Sequence, residues 1–125
     1  MTAFRANKNG TAQSGFTAQD YNAITFSTEA YDDGSRFASN LWVPVQTGES
    51  AALVVFSGQI WVSNDGKGGV VVYDGTSLPV VRIVKNGYPS GTTIGTAVGA
   101  KGPFSNDWVC AVSMQDIAQP GDAYG

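Results

Sequence analysis

Apolar and polar positions alternate with a period of two along much of this chain. Ile24 and Phe26 share one side of a segment whose other side carries Ala23, Thr25 and Ser27. Leu41, Val43 and Val45 alternate with Trp42 and Pro44. Trp108, Cys110, Val112 and Met114 alternate with Val109, Ala111 and Ser113. Successive side chains of a β-strand point to opposite faces, so a period of two is the mark of strands with one face in a core. The runs are rich in β-branched and aromatic residues and are bounded by turn signals, the pattern of an all-β sandwich or barrel. It predicts strands at residues 3–6, 16–17, 23–28, 36–37, 41–45, 52–62, 70–73, 80–84, 92–98 and 108–114, and no helix.

Turn chemistry separates these runs. Asp32-Asp33-Gly34, Asn64-Asp65-Gly66, Asp74-Gly75, Asn86-Gly87 and Pro120-Gly121-Asp122 all favour tight reversals. Gly66-Lys67-Gly68-Gly69 is glycine-rich, but no helix and no Lys-Ser or Lys-Thr follows it, so it fits a hairpin tip and not a phosphate loop. The segment from Trp108 to Met114 is apolar on both faces, which fits either burial in the core on one side and in a subunit interface on the other, or a central strand with a partly apolar outer face. Candidate interface residues are Trp42, Trp61, Trp108, Val109 and Ala111. The turn at residues 120–122 would ordinarily open another strand, and three residues follow it. The expectation is a single domain lacking its last one or two strands, with an unpaired edge that recruits a partner.

Composition narrows the function. A length of 125 residues gives one domain with one core. Charged residues are 14%, well under the roughly 25% of an average domain, which suits a chain packed in an assembly. The net charge of −3 provides no basic face for a phosphate backbone, so nucleic acid is not the expected partner. No run approaches the roughly 20 apolar residues of a membrane span, and MTAFRANKNG lacks the apolar centre of a secretory signal. A role outside a cell would then require another route, such as release by lysis, as for virion proteins.

The sequence contains no histidine. That removes the Ser-His and Cys-His nucleophile systems and the commonest general base. Cys110, the only cysteine, lies in an apolar run and reads as a buried thiol. Carboxylates remain, but Asp32, Asp33 and Asp74 sit in turns, the ordinary place for Asp; a glycan-hydrolysing activity would have to rest on them. The expectation is a protein that is not an enzyme and has no cofactor. Calcium, which takes clustered loop oxygens, would draw on Glu29, Asp32 and Asp33. Recognition of sugars needs a ring beside polar groups. The loop candidates are Tyr88 with Asn86 and Ser90, Tyr73 with Asp74, and Phe104 with Asn106.

Four segments in order carry a family resemblance: Ala3-Phe4-Arg5-Ala6; Ile24-Thr25-Phe26 with Tyr31-Asp32-Asp33-Gly34 and Phe37; Val81-Arg82-Ile83-Val84-Lys85-Asn86-Gly87; and Val109 to Met114 leading to Pro120-Gly121-Asp122. Together they resemble the jelly-roll heads of complement component one q and tumour necrosis factor, a trimeric family also found at the tips of phage fibres and spikes. The chain departs from that family in ending before its final strands and in carrying Gly58-Gln59-Ile60-Trp61 where the family has Gly-x-Tyr. The resemblance implies an antiparallel jelly-roll sandwich, a homotrimer, and a place in a virion beside other virion proteins, as a fibre, spike or head-decoration subunit. In that role it would attach to a host surface polysaccharide or receptor. The alternative is a structural capsid or tail adaptor completed by a strand from a partner chain.

Overall fold

The structure, a computed structural model, describes residues 3–8, 13, 22–63, 80–88, 90–101 and 107–125, with the backbone alone for 61–63, 100–101 and 107–108. Among these residues the fold is all-β, without a helix and compatible with a sandwich. In chain order the strands are β1 (Phe4–Asn7), β2 (Thr28–Asp32), β3 (Phe37–Ala38), β4 (Leu41–Trp42), β5 (Ala52–Ser63), β6 (Val80–Lys85), β7 (Thr92–Val98), β8 (Ala100–Lys101) and β9 (Asp107–Ala118). All pairings are antiparallel.

The frame is the ladder of β5 with β9, in unbroken register from Ala52 opposite Ala118 to Ser63 opposite Asp107. β8 adds to the other side of β9. β6 and β7 form a hairpin, and β7 crosses to β8 at the buried Gly99, so one stretch of chain serves two sheets and makes a corner. β7 lies close over β9 because Gly95 has no side chain: a Cβ there would come within 2.9 Å of Met114 Cγ and 3.4 Å of Val112 Cγ2.

The core lies between these layers. Its buried centre is Trp42, Val45, Val54, Ala118 and Tyr124, with Phe4, Phe37, Phe56 and Ile94 packed against it. The rings form a continuous file. Phe26 meets Phe37 edge-on, Phe37 stacks on Phe4 at 4.7 Å, Phe4 meets Trp42, Trp42 meets Phe56, and Phe56 meets Tyr124 at 4.9 Å. Each such contact adds about 0.5–1.5 kcal/mol to the burial of the rings themselves.

The residues after the turn are paired on both sides. Asp122 N–H donates to Gln119 O, and Gly121 takes φ 86, which fits a type II turn with Pro120 at its second position. Tyr124 then exchanges backbone hydrogen bonds with Trp42, and Gly125 with Val84, at 2.8–3.0 Å. Residues 123–125 thus act as a short strand that joins the β3–β4 hairpin to the β6–β7 hairpin.

Several strands differ from the sequence expectation. Residues 23–26 alternate as a strand would but are not one. Their backbone donors are taken by side chains: Thr25 N–H by Gln13 Oε1 and Phe26 N–H by Asn40 Oδ1. The strand forms further on, where Thr28 faces Asn7 across β1. The strand expected through Val45 stops at Trp42, before Pro44, which has no N–H to donate. β9 runs on to Ala118 through Gln115 and Asp116, polar residues that hid its length. Its second face is not buried within the chain: Ala111 is exposed and Val109 half-buried. The expected strands at 16–17 and 70–73, and the turns at 64–66 and 74–75, lie outside the described residues.

Candidate functional site

Two surfaces stand out. The first is a groove of about 290 Å³ between residues 26–29 and 37–40. One of its walls is a two-residue turn. β3 and β4 pair as Phe37 with Trp42 and Ala38 with Leu41, leaving Ser39 and Asn40 as the two-residue loop. Their φ values of 52 and 63 are those of a type I′ hairpin. Asn40 Oδ1 accepts from Phe26 N–H at 2.9 Å, bracing the groove's far wall against the turn. Phe26 stands at 65° to Phe37 with centroids 6.3 Å apart and is 39% exposed, so it is the open end of the aromatic file. The polar residues that line the groove are Ser27, Thr28, Glu29, Ser39 and Asn40, and the Ser27 hydroxyl donates to Lys8 O. Among the described residues neither Asn40 Nδ2 nor the Glu29 carboxylate has a hydrogen-bond partner.

The second surface is the outer face of the β5–β9 ladder. Leu53 lies opposite Ile117, Val55 opposite Gln115, Ser57 opposite Ser113, and Gln59 opposite Ala111. None of these eight residues is charged. Leu53, Val55 and Ile117 are 62%, 67% and 52% exposed and make an apolar ridge at one end. Ser57, Gly58, Ala111 and Ser113 are small, and beside the ridge they leave a depression. Ridge and hollow lie on one rigid face.

A third cluster has a structural role. Lys85 Nζ is 2.9 Å from Asp116 Oδ2 and 2.8 Å from Asp122 Oδ2. Tyr124 Oη donates to Asp116 Oδ2, and Gln119 N–H donates to Asp122 Oδ2. The bond from Lys85, with help from Asn86 and Gln119, holds the Asp122 carboxyl down at about 2, and Lys85 lowers Asp116 in the same way. Burial, with the Asp116 carboxylate, pushes the Tyr124 phenol up. Every charge here is answered within the cluster, which pins the 119–125 segment to β6 and β9.

The residues singled out from the sequence fall as follows. Asn86 belongs to the third cluster; its Nδ2 donates to Asp122 and its Oδ1 accepts from Ala123 N–H. Tyr88 is half-buried with its ring against Gly125, and its hydroxyl donates to Ile24 O at 3.0 Å. Ser90 is exposed in the same turn. Tyr73, Asp74, Phe104 and Asn106 lie outside the described residues. Of the expected interface residues, Trp42 is a core residue at 5% exposure, because the β3–β4 hairpin turns it inward between Phe4 and Phe56. Val109 and Ala111 do lie on the outer face, and Trp61 and Trp108 are placed on the same ladder. Asp32 Oδ2 accepts from Phe37 N–H, while Glu29 and Asp33 are exposed. Among the described residues no three acidic, His or Cys side chains converge as a metal would require. Burial pushes the Cys110 thiol up, away from a reactive thiolate.

Sequence reasoning passed over Phe26, Ser39, Asn40, Leu53, Val55 and Ile117. The Ser-Asn pair between two short apolar runs was a usable hairpin signal. The exposure of Leu53 and Val55 was not signalled, since β5 is apolar on both faces at its start. In comparisons with known proteins, no family model, no curated protein and no solved structure matches this chain.

Proposed function

We propose that this chain is a non-enzymatic subunit of a virion appendage, a jelly-roll head that assembles with copies of itself as a trimer and attaches to a host surface. The observation that carries the assembly is the uncharged stretch of the outer face from Leu53 to Gln59 on β5 and from Ala111 to Ile117 on β9, with Leu53, Val55 and Ile117 standing more than half exposed. Removing such a row of large apolar side chains from water gains about 25 cal/mol per Å², and faces of this kind mark contact sites.

The occupant argued for is another copy. The chain is acidic overall at −3, so two copies meet with least repulsion where neither carries charge. The ridge of one copy also has a hollow to enter on the same face of the next. Two strands of this length present roughly 40 Å by 10 Å, about half of the roughly 800 Å² each partner gives to a stable pair. One such contact is weak alone, and the number of copies, three, is taken from the family resemblance. The virion setting and host attachment follow from the family resemblance, and the absence of histidine from the sequence supports a binding role over a catalytic one.

Sedimentation of the purified chain tests this. A mass of three chains is expected. A monomer that persists as concentration is raised would overturn the assembly.

A further inference from the structure

We propose that the groove at Phe26 is a binding site for one residue of a neutral sugar. This rests on the host-attachment part of the reading above and gives it a place and a ligand class. The groove's shape sets the size. At about 290 Å³ it is at the small end of the roughly 300–1,000 Å³ typical of small-molecule sites, suited to a single ring and not to a peptide helix or a nucleotide.

Its chemistry sets the class. An aromatic ring has a negative face, and the axial C–H groups of a pyranose are polarised positive, so a ring that keeps one open face holds the apolar side of a sugar. Phe26 is 39% exposed, and its angled contact with Phe37 fixes the ring before any ligand arrives. A sugar hydroxyl both donates and accepts. Asn40 Nδ2 supplies donors, the Glu29 carboxylate supplies acceptors for neighbouring hydroxyls, and Ser39 and Thr28 do either. Asn40 is held in place by the bond its other amide atom accepts from Phe26 N–H, so the donor is preorganised. The carboxylate also sets the charge. Glu29 on an acidic chain repels uronates and sialic acids, which leaves neutral hexoses and their N-acetyl derivatives. Few contacts and an open groove give affinity on the order of 1 mM per ring, which a trimer multiplies by holding three grooves on one glycan surface.

The turn supports the same reading. Ser39 sits at φ 52, where glycine would be at ease. Ser39 is thus a strained position in the wall of the groove, the kind of place where backbone strain accompanies a functional site.

The test is a titration of the ¹⁵N-labelled full chain with methyl glycosides of glucose, galactose, mannose and N-acetylglucosamine, with methyl glucuronide as the acidic control. At least one neutral glycoside is expected to shift the Phe26 amide and the Asn40 side-chain amide, and the glucuronide to leave them in place. Phe26→Ala and Glu29→Gln, both at exposed positions, are each expected to weaken binding about tenfold. Ser39→Gly is expected to raise Tm by about 3 °C while it weakens binding. Glycosides that move no groove resonance, that move them equally with the glucuronide, or that bind both variants undiminished would overturn the proposal. A chain that assembles but binds no glycoside loses the groove alone; one that binds but stays monomeric loses the assembly alone.

Discussion

Tyr124 carries more of this fold than any other single residue described. It is 1% exposed, closes the aromatic file on Phe56, bridges two hairpins through its backbone and donates its hydroxyl to Asp116. Tyr124→Phe removes only that last bond and is expected to cost about 1–2 kcal/mol. Tyr124→Ala also opens a cavity and is expected to cost about 3–5 kcal/mol; urea unfolding distinguishes the two. The carboxylates beside it give the pH dependence. Asp116 and Asp122 are both lowered in the folded chain by Lys85. Their contribution is therefore complete above the ordinary Asp value of about 4 and is lost as pH falls toward the folded value of about 2 for Asp122. The urea midpoint is expected to fall across that window, and Asp122→Asn to make the fall shallower. At the other end, Lys85 is raised by the same carboxylates and Tyr124 by burial, so stability is expected to decline again above about pH 10.

Among the elements, the approach of β7 to β9 is the contact most sensitive to volume. Gly95→Val would drive a side chain into Met114 and Val112 and is expected to cost about 1–3 kcal/mol, with loss of cooperativity in thermal unfolding. How far such elements were legible in the sequence depends on where their hydrogen bonds go. β7 is found at 92–98 as expected, and β5 and β6 within a residue, because their alternation and their backbone pairing agree. The segment around Ile24 and Phe26 was misread because alternation reports faces and not partners: its N–H groups go to Gln13 and Asn40, whose reach across the fold leaves no local mark. β9 was read short because Asp116 looked like a strand end, and only the position of Lys85 and Tyr124 explains a carboxylate on the inner face. The groove was illegible for the same reason. It is made by residues 26–29 meeting residues 37–40, and neither half has the Tyr-beside-Asn signature that drew attention to Tyr88.

The molecule carries an uncharged ridge and hollow on one face and an aromatic groove elsewhere on the chain. The face is what turns a small β-domain into a component, and it makes a prediction independent of any ligand. Val55 is 67% exposed, so Val55→Glu leaves the packing of the single chain untouched while it places a charge on the ridge that one copy presents to the next. Light scattering after size exclusion on the native chain and on Val55→Glu, with Tm recorded for both, is the measurement to make. A mass of about three chains is expected for the native protein and of one for the variant, at closely similar Tm. Equal masses for the two would contradict assembly through this face.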